Sequence, residues 1–214
     1  MYPFPVTVLD DYLPDELALG AWAEFPDPDD ERWHTFDSEH EHGKQQLDSD
    51  VLGTFPRVSE ALGVLSSPGF IRTLSEVSGI DDLVPDVLGG GMHQTRRGGF
   101  LNMHVDSATD FREQAMYRRL NVLLYLNDDW TQRAGGALVL ASRGTTRWSA
   151  FSVVEPTWNR LVVFETSGET WHGHPHPWQR VTPRRSLAIY YYTLDAPPDF
   201  DPERRTTFTA ERPL

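Results

Sequence analysis

The chain has 214 residues, 39% hydrophobic and 12% aromatic, with a net charge of −13 from 32 acids against 19 bases. That supplies enough apolar residue for one domain with a sizeable core, and is too evenly mixed for disorder. The acidic balance disfavours nucleic-acid binding and attachment to an anionic membrane surface, since both need a basic face.

There is no cysteine, so disulfide frameworks, zinc ribbons and thiolate catalysis are excluded. Any metal site must use His and carboxylate, a donor set that suits ferrous iron, manganese or zinc. The segment MYPFPVTVLDDYLP lacks a basic region and a continuous apolar run, so no signal peptide is expected. No apolar run reaches the roughly 18 residues of a membrane span, and a cytoplasmic protein is expected. Lys44 is the sole lysine among the basic residues, as a GC-rich bacterial genome would produce.

In chain order, PDELALGAWAEF (14–25) carries a helix start at Pro14, Asp15 and Glu16, with apolar residues at Leu17, Leu19, Trp22 and Phe25. The polar, aperiodic stretch 27–50 reads as a long loop able to serve as a lid. RVSEALGVLSS (57–67) and GFIRTLSEVSG (69–79) have helical periodicity, broken at Pro68 and ended at Gly79.

From residue 83 the pattern changes to strands. LNVLLYLN (120–127), GALVLA (136–141), RLVVFET (160–166) and SLAIYYYT (186–193) are short, β-branched or aromatic, and bounded by turn residues. No long helix separates them, which disfavours a parallel doubly wound sheet. The expected architecture is a mainly β jelly-roll or barrel with N-terminal helices. Residues 1–214 read as a single domain, with helical support over 1–80 and a jelly-roll core over 83–195.

The stretch GGFLNMHVDS (98–107) places His104 and Asp106 at i and i+2, on one face of a strand. ETWHGHPHPW (169–178) offers a third ligand among His172, His174 and His176. Along PRRSLAIYYYT, residues Arg184, Ser186, Ala188 and Tyr190 share one face, opposite Arg185, Leu187, Ile189 and Tyr191. The first set, with a cation, a hydroxyl and a small residue, suits a pocket for a small carboxylate. In RLNVLLYLNDDW, the faces are Val122, Leu124 and Leu126 against Asn121, Leu123 and Tyr125, which puts the Tyr125 hydroxyl inward with Arg184. Two histidines and a carboxylate leave three positions open on iron, enough for a bidentate 2-oxo acid and dioxygen. The far carboxylate of that acid then needs an arginine fork.

These features together resemble the iron(II)/2-oxoglutarate-dependent dioxygenases of the prolyl-4-hydroxylase-like group. The likeness runs from about residue 86 to 193. It is carried by GG-x4-H-x-D (Gly98 to Asp106), YLNDDW (Tyr125 to Trp130) followed by GG-x-L (Gly135 to Leu138), HGHP, and the R-x-S strand. The resemblance implies a double-stranded β-helix with His104, Asp106 and His172 as iron ligands. It implies Fe(II), 2-oxoglutarate and O2 as cofactor and cosubstrates, with Arg184 on the C5 carboxylate and Tyr125 beside it; Ser186, on their face, is counted as a further contact. Many relatives have a cosubstrate-contacting tyrosine nine or ten residues before the first ligand. Here those positions are Thr95 and Gln94, with His93 adjacent.

Four residues are candidate substrate contacts. Asn102 shares a face with His104 and could point at the substrate, Arg96 and Arg97 could meet an anionic or polyhydroxylated substrate, and His174 could line the entrance. Asp106 argues against halogenation, which needs the carboxylate absent. The expected reaction is oxidation of a substrate C–H bond, with release of succinate and CO2. A small molecule, such as an amino acid, a sugar-containing metabolite or a natural-product intermediate, is the expected substrate, ahead of a prolyl residue in a peptide or a non-catalytic metal-binding jelly-roll.

Overall fold

The computed structural model describes residues 2–111, 115–144, 148–198 and 200–213, with side chains excepted at 110, 111 and 115. The chain order is β1 (Val6–Leu9), α1 (Asp15–Ala23), β2 (Trp33–Phe36), β3 (Glu41–Leu47), α2 (Pro56–Leu65), α3 (Pro68–Ser78), β4 (Val84–Val105), β5 (Thr109–Phe111) and β6 (Ala115–Tyr125). It continues with β7 (Leu138–Arg143), β8 (Trp148–Val154), β9 (Arg160–Glu165), β10 (Trp171–His174), β11 (Arg184–Thr193) and β12 (Thr207–Thr209).

The helices form where the sequence supplies their ends. Ser67 caps α3 by accepting from Phe70 N at 3.2 Å, Pro68 opens its first turn, and Gly79 closes it in the left-handed conformation at φ 70°. Both carboxylate oxygens of Glu24 accept from the first amides of α2, Arg57 N at 3.0 Å and Val58 N at 2.9 Å. An anion there also meets the positive end of the helix dipole. In α1 the buried face is Leu17, Ala18 and Ala21, whereas Leu19 is 55% exposed.

The strands form one curled antiparallel sheet in the order β1-β9-β6-β11-β4-β10-β7-β8, with β3 and β12 also on β4, β2 on β3 and β5 on β6. Strand β4 belongs to both halves of the curl: its first part pairs with β11 and β3, its last part with β10 and β12. The result is a double-stranded β-helix core, mainly β with few helices. The expected strands within 120–127, 136–141, 160–166 and 186–193 are present as β6, β7, β9 and β11.

One expectation needs correcting. Segment 27–50 is not a loop: β2 and β3 form a hairpin, and β3 extends the sheet by pairing Lys44 with Thr95 and Gln46 with His93. Its polar alternation has a physical reason. Gln45 is buried on the outer face, bonded to Thr35 and Gln94, so a polar residue does the packing there.

The outer face of β6 and β11 presents Val122, Leu124, Leu187, Ile189 and Tyr191 to the helices, joined by Leu126 just past β6 and by Val58, Ala61 and Leu65 of α2. Each buried Val, Leu or Ile side chain among them is worth about 1.5–3 kcal/mol. The inner face of the same two strands is thereby left free for a cavity. Among the described residues no helix is long and apolar enough to cross a membrane.

Candidate metal centre and cosubstrate pocket

His104, Asp106 and His172 each offer a ligand atom, and these atoms lie within 4.8 Å of one another with all three residues buried. Backbone pairing sets this up: His172 stands directly opposite His104 across β10 and β4, which brings the two rings to 4.3 Å between centroids. His104 Nε2 is 3.7 Å from Asp106 Oδ1, and His172 Nε2 is 3.4 Å from Asp106 Oδ2.

The tautomers follow from the neighbours. His104 Nδ1 lies 3.1 Å from Asn102 O and His172 Nδ1 lies 3.0 Å from Thr170 O. A carbonyl only accepts, so each Nδ1 donates and each Nε2 keeps its lone pair for the interior. Burial, followed by the charge of His172, lowers the His104 pKa to about 3, and burial lowers His172 as well. Burial would raise Asp106, but Arg118, His172, His104 and the Asn121 hydrogen bond outweigh it and hold the carboxyl below its usual range. Two neutral imidazole lone pairs and a carboxylate thus converge with no proton to share. This donor set fits a divalent metal, with the carbonyl partners fixing ring orientation from behind.

These three residues line a cavity of about 570 Å³ together with Tyr125, Arg184 and Ser186. Ser186 stands opposite Tyr125 across β11 and β6. The Arg184 guanidinium lies over the Tyr125 ring, 4.8 Å from its centroid, while Nε donates to Gly136 O at 2.7 Å. The fully buried Tyr125 hydroxyl has no hydrogen-bond partner among the described residues. Burial raises its pKa, against a smaller opposing effect of Arg184. Gly136 permits this packing: at φ 65°, a Cβ there would meet Trp178 Cε3 at 2.7 Å and Arg184 Cδ at 3.0 Å.

The proposed substrate contacts fare differently. His174 is buried in the cavity wall with Nδ1 unpartnered. Asn102 is not in the wall: its Nδ2 donates to Glu39 O at 3.1 Å. The reason is a bulge, because His174 pairs with Leu101 where regular alternation would give Asn102, so Leu101 lines the cavity instead. Arg96 pairs with Asp29 at 2.9 Å and Arg97 is exposed, and neither lines the cavity. Thr95 and His93 line it, while Gln94 points away to Gln45.

Arg118 was not legible as a site residue. Counting by twos back from Tyr125, Leu123 and Asn121 selects Arg119. The register of β6 against β11 shifts between Tyr191 and Tyr192, which pairs Tyr192 with Arg118 and turns Arg118 into the cavity.

No curated protein matches the chain. Among solved structures it is similar to a prolyl-4-hydroxylase from Pseudomonas putida, at 23% identity and TM-score 0.65 over 88% of this chain and 92% of that one. It is also similar to a prolyl hydroxylase from Trichoplax adhaerens in complex with a hypoxia inducible factor peptide fragment, at 14% identity and TM-score 0.67 over 87% and 83%. A third is HygX from Streptomyces hygroscopicus with nickel and 2-oxoglutarate bound, at 12% identity and TM-score 0.59 over 89% and 84%. Residues 90–192, which hold all three metal-binding candidates together with Arg184 and Tyr125, match the model of the 2OG-Fe(II) oxygenase superfamily, and the chain carries an oxygenase domain of that family.

Proposed function

We propose that the chain, acting as one domain, oxidises a C–H bond of a small molecule, with 2-oxoglutarate converted to succinate and CO2. The observation that carries this reading is the convergence of His104, Asp106, His172 and Arg184 on one cavity of about 570 Å³. That volume falls within the roughly 300–1,000 Å³ of small-molecule sites.

His104, Asp106 and His172 would hold Fe(II), which when bound supplies the oxidising chemistry with dioxygen. Arg184 binds the distal carboxylate of 2-oxoglutarate as a planar fork, with Tyr125 and Ser186 donating hydroxyls beside it. Burial of this end strips water from the carboxylate and strengthens each charged hydrogen bond. Leu123, Leu138 and Phe164 give the wall an apolar lining that contributes to water exclusion.

The test is succinate release from 2-oxoglutarate over a panel of small metabolites and prolyl peptides, with His104→Ala as control. Stimulation by a small molecule, lost in His104→Ala, supports the reading, and unchanged turnover in that variant overturns it. The fold shared with two prolyl hydroxylases favours a second reading, oxidation of a prolyl residue in a peptide; stimulation by peptides alone would establish that instead.

A further inference from the structure

We propose that the cavity wall lined by Lys44, Glu41 and His174 is the recognition subsite for a substrate bearing a carboxylate beside a protonated amine, the head group of an amino acid. The inference rests on the oxygenase reading and names the substrate class for that same cavity.

Lys44, Thr95 and Arg184 form one row across three strands: Lys44 pairs with Thr95 on β4, and Thr95 pairs with Arg184 on β11. All three line the cavity. Neighbouring strands are about 4.8 Å apart, so the backbones of the two cations stand roughly 10 Å apart on one wall. They are turned to different ends. Arg184 is fixed inward by Gly136 O and the Tyr125 ring. Lys44 Nζ is held by Glu41 Oε2 at 3.0 Å and lies 4.5 Å over the Phe36 ring. 2-Oxoglutarate has two carboxylates, one for Arg184 and one for the metal that His104, Asp106 and His172 would hold. The cosubstrate thus has no anionic group left for Lys44.

A second row runs beside the first. Glu41 and His174 both pair with Leu101, from opposite sides, and all three line the cavity. His174 is 5% exposed, and its Nδ1 has no hydrogen-bond partner among the described residues. Leaving such a group unpaired costs about 1–3 kcal/mol. It is not one of the metal-binding candidates, so a ligand in the cavity is the group that would satisfy it.

Charge balance selects the ligand. A carboxylate alone, drawn onto Lys44, would leave Glu41 facing the cavity uncompensated, which is costly in a partly buried setting. A zwitterion exchanges one ion pair for two: its carboxylate takes Lys44 and the His174 imidazole, and its ammonium takes Glu41. Being neutral overall, it is not repelled by a chain of net charge −13.

The experiment uses the Fe(II)–2-oxoglutarate protein under anaerobic conditions, with the visible band of the chelate as readout. The probes are the free proteinogenic amino acids, their methyl esters and their N-acetyl forms. A free amino acid is expected to perturb the band, and its ester and N-acetyl form to bind at least about tenfold more weakly. Lys44→Met should abolish the penalty on the ester and Glu41→Gln that on the N-acetyl form, with Lys44→Arg restoring ester discrimination. The comparisons among acid, ester and N-acetyl form are read on the unsubstituted protein, so they decide even if a variant fails to fold. The proposal is overturned if no free amino acid binds while 2-oxoglutarate does, or if the modified forms bind as well as the acid. It is also overturned if Lys44→Met weakens 2-oxoglutarate as much as Arg184→Met does. Failure of the unsubstituted protein to form the band at all would instead overturn the oxygenase reading beneath it.

Discussion

Arg118 and Asp106 are paired inside the cavity wall, with Arg118 Nη2 3.3 Å from Asp106 Oδ2. The same oxygen accepts from Asn121 Nδ2 at 2.8 Å, and Arg118 Nε donates to Asn121 Oδ1 at 2.9 Å. The Arg118 guanidinium also lies over the Tyr190 ring, 3.6 Å from its centroid. Oδ2 is therefore occupied by protein donors, which would leave Oδ1 for a metal. A carboxylate held in this way would bind a metal through one oxygen, leaving room for cosubstrate and dioxygen.

Removing either donor should loosen that ligand. Asn121→Ala and Arg118→Met are expected to weaken Fe(II) or Co(II) binding by about 10–100-fold, the usual effect of losing a hydrogen bond behind a metal ligand. Competition against a chelator measures it. Unchanged affinity in both variants would show that the pair does not govern the carboxylate.

Arg184→Lys keeps the charge but loses the fork. Charge-assisted hydrogen bonds of this kind are worth about 1.5–3 kcal/mol, so the KM for 2-oxoglutarate should rise on the order of 10- to 100-fold. At saturating cosubstrate most of the turnover should return. A variant with unchanged KM would remove Arg184 from the cosubstrate site.

Gly136→Ala tests the same pocket from the turn that precedes β7. The added methyl would press on Arg184 Cδ at 3.0 Å and Trp178 Cε3 at 2.7 Å, at a φ of 65° that alanine adopts with strain. Both effects act in one direction. The 2-oxoglutarate KM should rise, and stability should fall by about 1–2 kcal/mol, read as a lowered Tm. Retained Tm with normal KM would show that the turn can yield.

Tyr191 should give the fold a dependence on alkaline pH. Its hydroxyl donates to Leu65 O under the helices, and burial, with a smaller effect of Tyr12, raises its pKa above the ordinary value. Below about pH 10 both folded and unfolded chains hold the phenolic proton. Above it the unfolded chain releases the proton while the folded chain retains it, so stability falls as pH rises. Tyr191→Phe should be less stable at neutral pH by about 1 kcal/mol. Its stability should also decline less steeply above pH 10, as followed by urea denaturation at a series of pH values. An equally steep decline would assign the alkaline loss to other groups.

The sequence by itself determined the elements whose signals are local. Period-two alternation in β6 and β11 assigned Leu123 and Tyr125, with Arg184 and Ser186, to the cavity and their neighbours to the helical face, because a strand alternates its side chains wherever pairing is regular. His104 and Asp106, two residues apart, were readable for the same reason. What only the tertiary structure decided lies where pairing is irregular or distant. One bulge opposite His174 removed Asn102 from the wall and put Leu101 there, and another opposite Tyr191 and Tyr192 exchanged Arg119 for Arg118. A single inserted residue reverses every face beyond it, and nothing in the local residue types marks where it falls. The hairpin over 33–47 was equally hidden, since its buried glutamine is satisfied by Thr35 and by Gln94 on a strand far along the chain. Lys44 and Glu41 reached the cavity by that route, through cross-strand pairing that no local pattern encodes.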